Sequence, residues 1–181
     1  MKTLGLIGGT TWISTADYYR NLNQQINEIL GGLNSAQLLL YSVNFENYQP
    51  PVNPDEWREL SKKFTGIAQK LESAGADCIV FCANTPHMAA DYIQRNIGIP
   101  IIHIAEAAAN EISANRIQKV ALLGTRITME QDFFKSRLIN KQIEVLVPNA
   151  EDRQVIHNAV FNEMAKDIFS PRNKNKVYQH H

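Results

Sequence analysis

Short apolar runs alternate along the chain with longer segments whose apolar residues recur at helical spacing, and glycine and proline mark the joints. Leu4-Gly5-Leu6-Ile7 reads as a buried strand running into Gly8-Gly9. Ser14 with Asp17 three residues on predicts a capping-box start, and the helix it opens runs to Leu30 and stops at Gly31-Gly32. Leu38 to Val43 is a second strand, followed by a loop over residues 45–53. Asn53 caps the next helix, with Pro54 at its first position and Glu56 in its first turn, and that helix ends near Gly75. Cys78 to Cys82 is a third strand, leading to a helix from Pro86 to about Arg95. Ile99 to Ile104 is a fourth, and a helix begins near Ala105. Val120 to Gly124 is a fifth strand, and Thr128 with Gln131 predicts a capping box and a helix to about Ile139. Ile143 to Val147 is the sixth strand, and Glu151 to Phe169 a helix.

Six apolar strands alternating with helices are the signature of a mainly parallel sheet covered on both faces. From Val120 onward the order of elements repeats that of the first half, which suggests two α/β units. Ser170-Pro171 reads as one more helix start, yet the polar, basic stretch Arg172-Asn173-Lys174-Asn175-Lys176 follows and the sequence stops ten residues later. Two readings stand here: a disordered tail, or an α/β unit cut off before its next strand.

Composition narrows the function classes. The 181 residues, 44% hydrophobic and 20% charged, are ample for a buried core. Zero formal net charge gives no overall field toward nucleic acid or an anionic membrane. Leu4 to Ile7 is too short for a signal peptide's apolar region, and no run approaches the ~18 apolar residues of a membrane span. The two cysteines, Cys78 and Cys82, would sit about 13 Å apart on one strand at ~3.3 Å per residue, too far for a disulfide. A reducing cytoplasm is the simpler expectation.

The segment Cys82-Ala83-Asn84-Thr85-Pro86-His87 carries the most chemistry. Ligands of open α/β sheets bind outside the C-terminal strand ends, where Cys82 would sit. A helix tip beside it would favour the thiolate and lower the thiol's pKa. The same tip, with Asn84 and Thr85, would hold a carboxylate. Spacing leaves open the plainer reading of Cys82 as a small buried hydrophobe. Cys78, deep in the strand, reads as core, and no second ligand pair makes a zinc site of the two.

Gly8-Gly9-Thr10-Thr11-Trp12-Ile13-Ser14-Thr15 is a strand-to-helix loop that lacks both the G-x-G-x-x-G spacing and a Walker lysine. It suits a small anion near its amides or a plain tight turn. Gly124-Thr125-Arg126 repeats the theme, with Thr125 as a ligand donor or a turn residue and Arg126 as an exposed cation. His87 is either a surface residue or the partner of Cys82 in a Cys–His pair. His103 reads as a satisfied core residue, and His157, His180 and His181 have no ligand-like spacing.

Taken in order, Gly8 to Thr15, Asn34-Ser35-Ala36, Cys82 to His87, and Leu123-Gly124-Thr125-Arg126 with Thr128-Met129-Glu130-Gln131 resemble the aspartate/glutamate/hydantoin racemase family. The resemblance runs from residue 4 to about 170. It implies two pseudo-symmetric, flavodoxin-like three-layer α/β domains with parallel sheets and the active site between them. Their expected bounds are 1–104, carrying the first catalytic cysteine, and 105–169, an incomplete second domain, before a polar tail at 170–181. It further implies racemisation of aspartate, glutamate or a related amino acid with no pyridoxal phosphate or other cofactor. Two cysteines on opposite faces of the α-carbon then exchange its proton. On this resemblance Cys82 matches the first cysteine, Asn84 and Thr85 the carboxylate binders, Thr125 a second-domain substrate contact, and Thr10 and Trp12 the first loop. The loop from Phe45 to Pro51 falls where the family has a substrate-contacting segment.

The family's second cysteine lies on a later strand, in a Gly-Cys-Thr-Glu-like motif that this sequence lacks. Cys78 shares a strand and face with Cys82 and cannot replace it. The expectation is therefore a shortened chain whose racemase activity is absent or severely reduced. Slow α-proton exchange at one enantiomer is the activity that could survive. A non-catalytic module that keeps the carboxylate pocket is the alternative, and a nucleotide-binding α/β protein a weaker third. The partner expected is a small amino acid, with no nucleic acid or membrane and a homodimer left open.

Overall fold

A computed structural model describes residues 1–51 and 53–168. The chain separates into two compact units, the first Met1–Ile104 and the second beginning at Ala105. In the first, β1 (Leu4–Gly8), β2 (Leu38–Ser42), β3 (Cys78–Phe81) and β4 (Ile101–Ile102) form one parallel sheet in the order β2-β1-β3-β4. That order opens the flavodoxin-like arrangement, in which β1 and β3 are neighbours at the switch point. Ile7 lies opposite Phe81 in their shared register. Central position explains composition: Leu6, Ile7, Ile79 and Phe81 are at most 1% exposed, as a strand covered on both faces requires.

Three helices belong to this unit: α1 (Trp12–Leu30), α2 (Pro54–Ser73) and α3 (Ala90–Gln94). α2 supplies most of the helical core. Leu60, Phe64, Ile67, Ala68 and Leu71 recur at three- and four-residue spacing and all are buried in one cluster with Ile7, Ile79 and Phe81. Asn53 caps it as the sequence predicts, its side chain accepting from the Glu56 amide at 2.8 Å, with Pro54 at the first position. A ladder of aromatic rings crosses the core toward the sheet's C-terminal edge: Tyr48 on Phe64, Phe64 on Phe81, Phe81 on His87, and His87 on His103.

The second unit holds most of α4 (Ile104–Ala114), then β5 (Lys119–Ala121), α5 (Arg126–Glu130), α6 (Asp132–Ile139), β6 (Glu144–Leu146) and α7 (Ala150–Asn162). β5 and β6 pair in parallel. Met129, Phe134, Leu138 and Ile143 are buried here, and Glu130 bridges Arg126 of its own helix to Arg153 of α7.

Several boundaries differ from the sequence reading. Ser14 and Asp17 do not cap α1. Thr11 occupies the cap position, Ser14 Oγ donates to backbone carbonyls, and Asp17 pairs with Arg20 instead. Thr125, not Thr128, caps α5: Thr125 Oγ1 accepts from the Thr128 amide, while Thr128 is wholly buried. The expected helix to Ile139 is two, α5 and α6, broken at Gln131. The helix expected from Pro86 is a 3-10 turn over Thr85–Ala89 followed by α3. The fourth strand keeps two of its six expected residues. The last expected helix, to Phe169, instead ends at Asn162 and is followed by a 3-10 turn over Met164–Lys166. Phe169 itself, the Ser170-Pro171 start and the 170–181 tail lie outside the described residues. Among the described residues no helix is long and apolar enough to cross a membrane.

Candidate active site

The carboxyl ends of β1 and β3 carry the candidate chemistry side by side. Cys82 directly follows β3, and its amide donates to the Ile7 carbonyl of β1 at 3.0 Å. Gly8 ends β1 at the same edge, and Gly9 and Thr10 follow it. The turn there is tight. The Val43 amide donates to Gly8 at 2.9 Å, and Gly9 sits at φ +91°, where a side chain would run into the Val43 carbonyl oxygen. Thr15, buried on α1, threads the loop together: its hydroxyl oxygen accepts from the Gly9 amide at 2.8 Å and donates to the Thr11 carbonyl at 2.9 Å. The Gly9 amide, one of the groups expected to meet an anion, is thus engaged within the loop.

Two residues of α1 face Cys82, and the sequence reading assigned neither of them to the site. Ser14 Oγ donates to the Cys82 carbonyl at 2.7 Å. Tyr18, one turn on, lies close enough that its phenol is pushed above its ordinary value, mainly by burial and then by the Cys82 charge. Their i, i+4 spacing was a legible signal of one shared face, overshadowed by the capping-box match of Ser14 with Asp17.

Cys82 itself is 1% exposed, and burial pushes its thiol up to about 12. This corrects the expectation of a lowered thiol. The next helical turn is a short 3-10 segment whose N-cap, Asn84, makes no side-chain cap bond, so little dipole opposes the desolvation of a buried sulfur. The resting group is the protonated thiol. Accordingly, in a Cys78→Ser background, iodoacetamide should alkylate native Cys82 slowly at pH 8. Its rate should climb about tenfold per pH unit from 7 to 10, because only the thiolate reacts. A plateau below pH 9 would show instead a thiolate stabilised in the free protein.

Asn84 and Thr85 follow Cys82 around the same rim, half-buried. Trp12 is the first residue of α1 and 63% exposed. Thr10, Cys82, Asn84 and Thr85 therefore come together at one sheet edge, while Thr125 belongs to the second unit. There its hydroxyl lies 3.1 Å from that of Thr128 in the α5 cap. Cys78 begins β3, at the opposite end of the strand, where burial raises its thiol and Asp77 adds to the rise against Lys2.

A cysteine followed by a polar turn at the carboxyl ends of adjacent parallel strands stands at the switch point of an α/β sheet, the place where open sheets of this kind carry their ligand sites. The chain belongs to the Asp/Glu/hydantoin racemase family, whose model matches residues 7–178. Among solved structures, a proposed Asp/Glu racemase from Yersinia pestis is 42% identical with a TM-score of 0.88, over 98% of this chain and 77% of that one. An aspartate racemase homologue from Pyrococcus horikoshii is 38% identical with a TM-score of 0.80, over 98% and 76%. The broad specificity amino-acid racemase RacX of Bacillus subtilis is 26% identical over 147 residues, covering 79% of this chain. The chain spans 63% of that relative's length.

Proposed function

We propose that the chain acts on the α-carbon of aspartate or glutamate, with Cys82 as the proton-transferring group and without pyridoxal phosphate. The observation that carries this reading is the setting of Cys82. Its amide is fixed by Ile7 and its carbonyl by Ser14, beside the Gly8-Gly9-Thr10 loop and at the head of Asn84-Thr85. Family membership and the racemase names of the relatives support it.

In this reading Asn84 and Thr85 donate to the α-carboxylate, and Thr10 and Trp12 contribute from the first loop. The Cys82 thiolate takes the α-hydrogen as a proton. The electron pair left on carbon spreads into the carboxylate, whose donors lower the cost of the added charge. A thiol as weakly acidic as this one gives a strongly basic thiolate, suited to a weakly acidic C–H, but its population at rest is small. The ammonium of a bound amino acid, brought close, is the charge that would raise that population.

A racemase needs a second acid on the far face of the α-carbon. The sequence has two cysteines, and Cys78 lies about four residues, ~13 Å, down the strand from Cys82. This chain therefore offers one thiol to the substrate, and we read its racemisation as severely reduced. Both cysteines are free, in keeping with a cytoplasmic setting.

The test is α-deuteration against racemisation of each enantiomer of aspartate and glutamate in D2O, followed by proton NMR and chiral chromatography. Deuteration of one enantiomer should outrun racemisation by about 100-fold, the scale of a missing general acid. Equal rates would refute the single-thiol reading. Calorimetric binding of the amino acid with no exchange at all would favour the carboxylate-binding module, a reading that the remoteness of Cys78 also supports.

A further inference from the structure

His87 closes the Cys-x-Asn-Thr-x-His stretch, and the chemistry above leaves it without a task. It is 2% exposed. Its Nδ1 lies 3.0 Å from the Ala83 carbonyl and 3.1 Å from the Asn84 carbonyl, and the Ile104 amide points at its Nε2 from 3.2 Å. Carbonyl oxygens only accept and an amide N–H only donates. The neutral ring with hydrogen on Nδ1 and a lone pair on Nε2 satisfies all three contacts at once. That form carries no charge to share with a thiolate, so the geometry does not favour the ion-paired Cys–His nucleophile considered from the sequence.

The three partners have a common meaning. Ala83 and Asn84 are the residues between Cys82 and Thr85, at the point where β3 has ended and a 3-10 turn has just begun. The Asn84 carbonyl already accepts the His87 amide at 3.0 Å, so the ring adds a second contact there, while at the bend between strand and 3-10 turn it meets the Ala83 carbonyl as well. Ile104 starts α4 beyond β4, the strand next to β3 in the sheet. The ring is itself held edge-on by Phe81, with centroids 5.2 Å apart, and by His103 at 4.6 Å. It is a buried bracket, braced by the core and joined to the backbone on either side of the sheet's edge.

We propose that His87 is a positioning residue: as the Nδ1–H tautomer it pins the Cys82–Thr85 loop to the start of α4, setting the thiol and Asn84 for capture of an amino-acid carboxylate. The carboxylate part rests on the function proposed above. The pinning itself does not, and the two are separable by experiment.

Four forms of the full chain distinguish a hydrogen-bonding bracket from a space-filling ring. His87→Asn keeps an amide donor near the Nδ1 position. His87→Gln places its amide near Nε2. His87→Phe keeps the ring volume and loses both bonds. Nitrogen NMR of the ¹⁵N-labelled wild type should show His87 protonated at Nδ1 only. Amide exchange at Ala83–His87 should stay close to wild type in His87→Asn and rise about tenfold in His87→Phe and His87→Gln, the worth of one or two hydrogen bonds. The Kd for L-aspartate should weaken in the same order. A ring protonated at Nε2, or wild-type protection in His87→Phe, would overturn the proposal. Should the wild type bind neither aspartate nor glutamate while the NMR and exchange results hold, the amino-acid reading fails and the bracket stands.

Discussion

Replacing Cys82 by serine should cut α-deuteration of the favoured enantiomer by about 10³-fold or more, the upper range for losing a positioned acid–base group. The substitution changes little else. The hydroxyl is smaller than the thiol and fits the space it leaves, and the backbone contacts of residue 82, to Ile7 and from Ser14, do not involve the side chain. What changes is acidity. Burial already holds the thiol up at about 12, and the same burial acting on an alcohol puts its anion out of reach. Cys78→Ser is the matched control, since it also removes a buried thiol but at the far end of β3, and its rate should be that of the wild type. A Cys82→Ser chain that still exchanges the α-proton at the wild-type rate would remove Cys82 from the chemistry. Far-ultraviolet dichroism and a urea midpoint on each variant separate lost chemistry from lost structure.

The sequence was most readable where one physical rule acted alone. β1 and β3 are apolar because both faces are covered, and Asn53-Pro54 caps α2 because that pairing satisfies orphan amides wherever it occurs. It misled where a local match competed with a tertiary contact. Ser14-x-x-Asp17 has the form of a cap, but the Cys82 carbonyl lies within reach of Ser14 and takes its hydroxyl. Thr128-x-x-Gln131 has the same form, yet Thr128 is consumed by packing against Gly124 and the cap passes to Thr125. Cys82 shows the deeper limit. Its place at the strand end was legible from Cys78-Ile79-Val80-Phe81 running into a polar turn. The sign of its pKa shift was not, because that depends on how completely neighbouring elements exclude water and on a helical turn too short to carry much dipole. The role of His87 depended in turn on Ile104, seventeen residues away and visible only once β4 had brought it back to the edge.

Gly9→Ala should destabilise the first unit by about 3 kcal/mol. Two effects add. At φ +91° an L side chain costs ~1–2 kcal/mol in backbone sterics. Beyond that, the new methyl would run into the Val43 carbonyl oxygen, and forced overpacking of this kind costs about 1–3 kcal/mol. Val43 cannot step aside cheaply, since it is 7% exposed and its own amide holds the Gly8 carbonyl. Gly75 separates the two effects. It has nearly the same backbone angle, φ +97°, but nothing lies within 4 Å of the position its Cβ would take. Gly75→Ala should therefore cost only the backbone part, ~1–2 kcal/mol, and the gap between the two urea midpoints measures the contact with Val43. Equal losses would mean that the loop after β1 yields freely. In that case the Gly8-Gly9-Thr10 turn would not be the rigid wall that the active-site reading requires beside Cys82.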